Sequence, residues 1–72
     1  MAKSALPISN CIRELRETND QMTQQALADR IGVTRQTVNA IEAGKYSPSL
    51  EVAFRIASVF ELPLEQVFEY RP

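Results

Sequence analysis

Apolar residues recur along this chain at three- and four-residue intervals, broken by short polar turns, and only the last few positions alternate as a strand would. Ile8, Ile12 and Leu15 mark the inward stripe of a first helix, which starts at Ser9 or Asn10, either able to cap it, and runs to about Thr18. The polar stretch Thr18-Asn19-Asp20-Gln21 ends it. Thr23 stands at the N-cap of a second helix, Gln24 to about Arg30, that buries Leu27, Ala28 and Ile31. Gly32 follows where a helix closes in a left-handed conformation. Thr34 caps a third helix, Arg35 to about Ala43, with Val38 and Ile41 inward and Gly44 as its terminator. Ser49 caps a fourth, with Glu51 in its first turn and Val52, Ala53, Ile56, Ala57 and Phe60 on one face. Pro63 opens a last short helix, Leu64 to about Phe68, and the alternation through Phe68-Glu69-Tyr70-Arg71 predicts a short strand. The expectation is five helices in one domain spanning residues 1–72.

The second and third helices satisfy a demanding set of steric conditions. Two helices joined by a tight turn cross steeply only if a small residue sits at their contact, and Ala28 is there. The turn needs a residue free to take positive φ, and Gly32 lies four positions on. Val33, Val38 and Ile41 have the offsets to fill the angle. All of these together point to a helix-turn-helix over about residues 23–43.

Composition narrows the class. The 72 residues are near the lower limit for one self-sufficient hydrophobic core. One cysteine, Cys11, allows no intrachain disulfide and suits a reducing compartment, with the thiol a small filler. Histidine is absent, which excludes a histidine base or ligand. With no phosphate-binding glycine loop and no nucleophile–base pair either, an enzyme is not expected, nor a metal, cofactor or small-molecule ligand. No apolar run approaches the roughly 20 residues of a membrane span, and the first residues do not form a signal peptide. A cytoplasmic protein is expected.

Net charge is −1, whereas nucleic-acid-binding domains usually carry a basic excess. Its distribution matters more than its total. Between Thr23 and Ser47, Arg30, Arg35 and Lys45 outnumber Asp29 and Glu42; between Leu50 and Glu69, Arg55 stands against Glu51, Glu61, Glu65 and Glu69. The acid lies in the C-terminal third. Few phosphates would be neutralised, so binding to DNA without regard to sequence should be weak.

The chain resembles the Cro and phage-repressor type helix-turn-helix regulators, the XRE family. The matching text is Ile12-Arg13-Glu14-Leu15-Arg16, Met22 to Ala28, Ile31-Gly32-Val33-Thr34-Arg35-Gln36-Thr37-Val38, Ile41 to Leu50, and Leu62 to Phe68. It covers about residues 12–68 and looks most like the short stand-alone members. The resemblance implies an all-α, five-helix, lambda-repressor-like DNA-binding domain whose third helix enters the major groove. Arg35, Gln36, Thr37 and Asn39 are then expected at base edges, since arginine bonds guanine and Gln or Asn bonds adenine bidentately. Thr23, Gln24, Lys45 and Tyr46 are expected at phosphates, with Gln24 also bracing the recognition helix. Taken singly, each of these polar residues would read as a solvated surface position; the motif around them makes them candidates. Arg16 and Glu42 match a structural ion pair of related repressors. Two departures stand out: the loop Asn19-Asp20-Gln21-Met22 is one residue longer than the usual pattern and lacks its glycine, and Ala43 replaces an asparagine often found there.

One recognition helix reads only about four or five base pairs, too few for useful specificity. The resemblance therefore implies a homodimer on a palindromic operator, most simply as a repressor. Leu62, Leu64, Val67, Phe68 and Tyr70 form the candidate dimer surface, with Ala5 to Ile8 pairing beside the tail as a short ribbon. The rivals are a protein-interaction adaptor using the acidic C-terminal surface, and an antitoxin combining both activities.

Overall fold

A computed structural model describes residues 6–71 of the chain. It contains β1 (Ile8–Asn10), α1 (Ile12–Glu17), α2 (Gln24–Ile31), α3 (Arg35–Glu42), α4 (Leu50–Phe60), α5 (Leu64–Val67) and β2 (Phe68–Tyr70). The helices surround one core made of Ile12, Leu27, Ala28, Ile31, Val38, Ile41, Ile56, Ala57 and Val67, so that every helix contributes to it.

Side-chain caps fix where α2, α3 and α4 begin. Thr23 Oγ1 accepts from the Ala26 amide at 2.9 Å, Thr34 Oγ1 from Thr37 at 3.1 Å, and Ser49 Oγ from Val52 at 3.2 Å. Their ends follow one recurring device. In α2 the left-handed Gly32 (φ 78°) lets Val33 N donate to Ala28 O. In α3, Gly44 (φ 74°) N donates to Ile41 O and Lys45 N to Ala40 O, a complete Schellman closure. In α4 the same pair of bonds forms, Glu61 N to Ser58 O and Leu62 N to Ala57 O, but with Glu61 rather than glycine at φ 57°.

The N-terminal end departs from expectation. Ser9 and Asn10 do not cap a helix in sequence order; both lie in β1, and α1 starts at Ile12 after Cys11. Asn10 still helps α1, because its Oδ1 accepts from the Ile12 amide at 3.1 Å. The strand expected in the tail is present, and its partner is β1, antiparallel, with Ile8 opposite Tyr70, Ser9 opposite Glu69 and Asn10 opposite Phe68. The pairing is thus shifted toward the core from the anticipated Ala5–Ile8 segment, of which Ala5 lies outside the described residues. Arg71 N to Pro7 O, 2.6 Å, carries it one step further. The shift is explained by docking: Cys11 N donates to Val67 O at 3.1 Å, which sets the chain leaving β1 against the end of α5.

Candidate nucleic-acid interface

α3 is amphipathic in the sense that matters for a recognition helix. Val38 and Ile41 are buried, while Arg35, Gln36 and Asn39 are exposed on the opposite side. α2 packs on α3 more extensively than any other pair of elements pack together. Ala28, fully buried, permits this close approach, because a larger side chain would hold the two helices apart.

α3 is locked at several points. Arg16 Nε donates to Glu42 Oε2 at 2.6 Å and Nη2 to Oε1 at 3.0 Å, a bidentate pair whose side chains are only 12% and 8% exposed. Arg16 Nη1 also donates to Met22 O at 2.8 Å, which fixes the loop between α1 and α2. The Glu42 hydrogen bond raises the Arg16 pKa above the ordinary arginine value; burial opposes the rise, and attraction to Glu42 and Glu17 adds to it. A raised pKa stabilises the fold at every pH below the ordinary arginine value and is lost only as pH climbs past the raised one. The Arg16 guanidinium is therefore charged throughout the working range.

Gln24 sits at the junction. Its Nε2 donates to Glu42 Oε1 at 3.1 Å and lies 3.3 Å from Asn39 Oδ1, joining the start of α2 to the exposed face of α3. Thr37 is half-buried and its hydroxyl is 3.0 Å from that of Thr34. Thr23, Lys45 and Tyr46 are exposed, Thr23 with its hydroxyl oxygen engaged as the α2 cap. Of these candidates the structure brings Gln24 and Asn39 together directly, and leaves Arg35, Gln36, Thr23, Lys45 and Tyr46 exposed.

The tail residues separate into two groups. Val67, assigned to a dimer surface from its sequence position, is 2% exposed and belongs to the monomer's own core. Leu62, Leu64 and Phe68 are partly buried against that core, and Tyr70 is 67% exposed.

Several contributors are invisible to sequence patterning. Asn10 Nδ2 donates to Ile41 O at 2.9 Å, tying the ribbon to the end of α3. Arg55 Nη1 donates to Ile31 O at 3.1 Å and stands 3.2 Å from where a Cβ on Gly32 would be, so it covers the turn of the motif. Leu50 and Phe54, four apart on α4, are exposed large hydrophobics outside its inward stripe, and that departure was the signal for them. Among the described residues no helix is long and apolar enough to cross a membrane.

The family model described as Helix-turn-helix matches residues 12–67. An uncharacterized HTH-type transcriptional regulator of Methanocaldococcus jannaschii is 53% identical over 49 residues, covering 68% of this chain and 74% of its own. The cryptic phage CTXphi transcriptional repressor RstR of Vibrio cholerae is 36% identical over 59 residues, 82% of this chain and 52% of that protein. Among solved structures, the restriction-modification controller protein C.AhdI of Aeromonas hydrophila superposes with a TM-score of 0.67 at 29% identity, covering 76% of this chain and 82% of that one.

Proposed function

The chain belongs to the XRE-type helix-turn-helix family whose model spans most of its length, and from that premise we propose that it is a sequence-specific DNA-binding transcriptional regulator. One observation carries the reading: α3 exposes Arg35, Gln36 and Asn39 while its opposite side is buried and its end is clamped by Arg16, Glu42 and Gln24. A helix held this rigidly presents base-reading groups with little ordering left to do on binding. Arg35 and Gln36 take base edges in the major groove, Asn39 an adjacent base and Thr37 a thymine methyl. Thr23, Gln24, Lys45 and Tyr46 take phosphates on either side.

Two copies act together on a palindromic operator. The exposed Tyr70 and the partly exposed Leu62, Leu64 and Phe68 supply the dimer surface, which the two-fold geometry of half-sites one DNA turn apart requires. The similarity to RstR supports repression as the sign of regulation.

Selection of bound sequences from a random duplex library, with light scattering of the free and bound protein, tests all of this. The expected result is an inverted repeat bound by two chains. Recovery of no sequence above random would defeat the regulator reading, and an unsymmetrical site bound by one chain would defeat the dimer.

A further inference from the structure

Beside the base-reading face lies a shallow cleft of about 440 Å³. Its floor is the Arg16–Glu42 pair; its rims are Gln24 and Asn39 on the helix-turn-helix side and Arg13 and Glu17 on α1. Arg13 Nε donates to Glu17 Oε2 at 3.3 Å, with the two side chains 73% and 57% exposed. We propose that Arg13 is a DNA-backbone contact and that Glu17 holds it in check by competing with phosphate for the guanidinium. This rests on the DNA-binding reading above and adds an element of α1 to the interface.

Charge and geometry both argue for it. The cleft is rimmed by the two residues, Gln24 and Asn39, that join the backbone-facing start of α2 to the base-facing side of α3. A phosphate held at Gln24 would lie on the rim of the same cleft that Arg13 lines. The stretch from Thr23 to Ser47 carries three cations against two anions, so one more guanidinium is a large fractional addition. An exposed i,i+4 pair is weak and readily exchanged, since water screens it and both side chains gain freedom when it opens. Arginine suits the exchange because its planar fork matches phosphate as well as carboxylate. Once Arg13 turns to the phosphate, the basic neighbour left to Glu17 is Arg16, which is already paired with Glu42, so acid remains beside the strand. That limits affinity for every sequence and so favours discrimination by the base contacts.

Filter or gel-shift titrations over a salt series, on the selected duplex and on a scrambled one, decide the matter. Arg13→Ala should weaken both duplexes alike and flatten the slope of log affinity against log salt by about one. Glu17→Gln should strengthen both by up to about tenfold at 0.1 M salt, the worth of roughly one released counterion. Glu51→Gln is the control: it makes the same change of net charge and removes the same kind of pair, Arg55 Nη2 to Glu51 Oε2 at 2.6 Å, on α4 and outside the cleft. It should change little. An unchanged salt slope in Arg13→Ala, a loss confined to the selected duplex, or equal gains in Glu17→Gln and Glu51→Gln would each overturn the proposal while leaving the regulator reading intact. Failure of the wild-type protein to bind any duplex would overturn both.

Discussion

Two arginines one helical turn apart on α1 each pair with a glutamate, and the pairs have little else in common. Arg16 and Glu42 join elements 26 residues apart in sequence, meet through two hydrogen bonds, and are nearly closed off from water. Arg13 and Glu17 are neighbours on one helix, share a single longer contact, and stand in solvent. The same two functional groups therefore do different jobs, and burial decides which. A buried pair fixes geometry, because neither partner tolerates losing the other. An exposed pair contributes little to stability and is free to change partners.

The sharpest way to break this contrast is to remove the buried acid. Glu42→Ala strands the Arg16 guanidinium and should lower unfolding free energy by about 3 kcal/mol in urea titration. If it costs no more than Arg13→Ala, the buried pair is not what holds α3. Arg16→Met combined with Glu42→Leu should recover part of the loss, since an apolar pair of similar volume replaces a desolvated ionic one, while the Arg16 bond to Met22 O is not restored. Affinity for DNA should nonetheless stay low in the double variant, because Gln24 loses its Glu42 acceptor. Arg35→Ala should relax preference at one base pair per half-site by about 1–3 kcal/mol and leave the urea midpoint unchanged. Gln24→Ala should instead weaken selected and scrambled duplexes alike. At the bottom of the scale, Arg13→Ala should shift stability by less than about 0.5 kcal/mol, whatever it does to DNA binding.

The parts of this molecule that patterning reveals are those governed by local chemistry. Thr23, Thr34 and Ser49 cap helices because a short oxygen-bearing side chain reaches the third amide onward, and Gly32 and Gly44 end them because left-handed backbone is easiest without a Cβ. α4 shows the limit of that logic. It closes with the same hydrogen bonds at Glu61, a residue that announces nothing, because burial of the flanking Val59, Phe60 and Leu62 imposes the conformation locally disfavoured for glutamate. Asp20 and Gln21 are left-handed for a different reason: the Arg16 hydrogen bond to Met22 O, together with Met22 N to Arg16 O, sets the loop where no glycine is present. The ribbon was expected from the tail's alternation, but its register and the placement of Val67 depend on contacts between the two ends of the chain, separated by some sixty residues, and no local rule reaches that far. The Arg16–Glu42 pair was legible through family resemblance. The cleft that places Arg13 beside Gln24 was not, because periodicity marks Arg13 only as a solvated face.

Asn10 has a consequence for how the protein would report its own occupancy. One side chain joins the ribbon, the first amide of α1 and the last turn of α3. Coupling between sites is reciprocal, so whatever the closed ribbon contributes to fixing α3 is returned when α3 is fixed by a ligand. A duplex seated on α3 would then slow hydrogen exchange at the ribbon's Cys11 and Arg71 amides, which donate to Val67 O and Pro7 O, and fraying of the termini would loosen the grip on DNA by the same free energy.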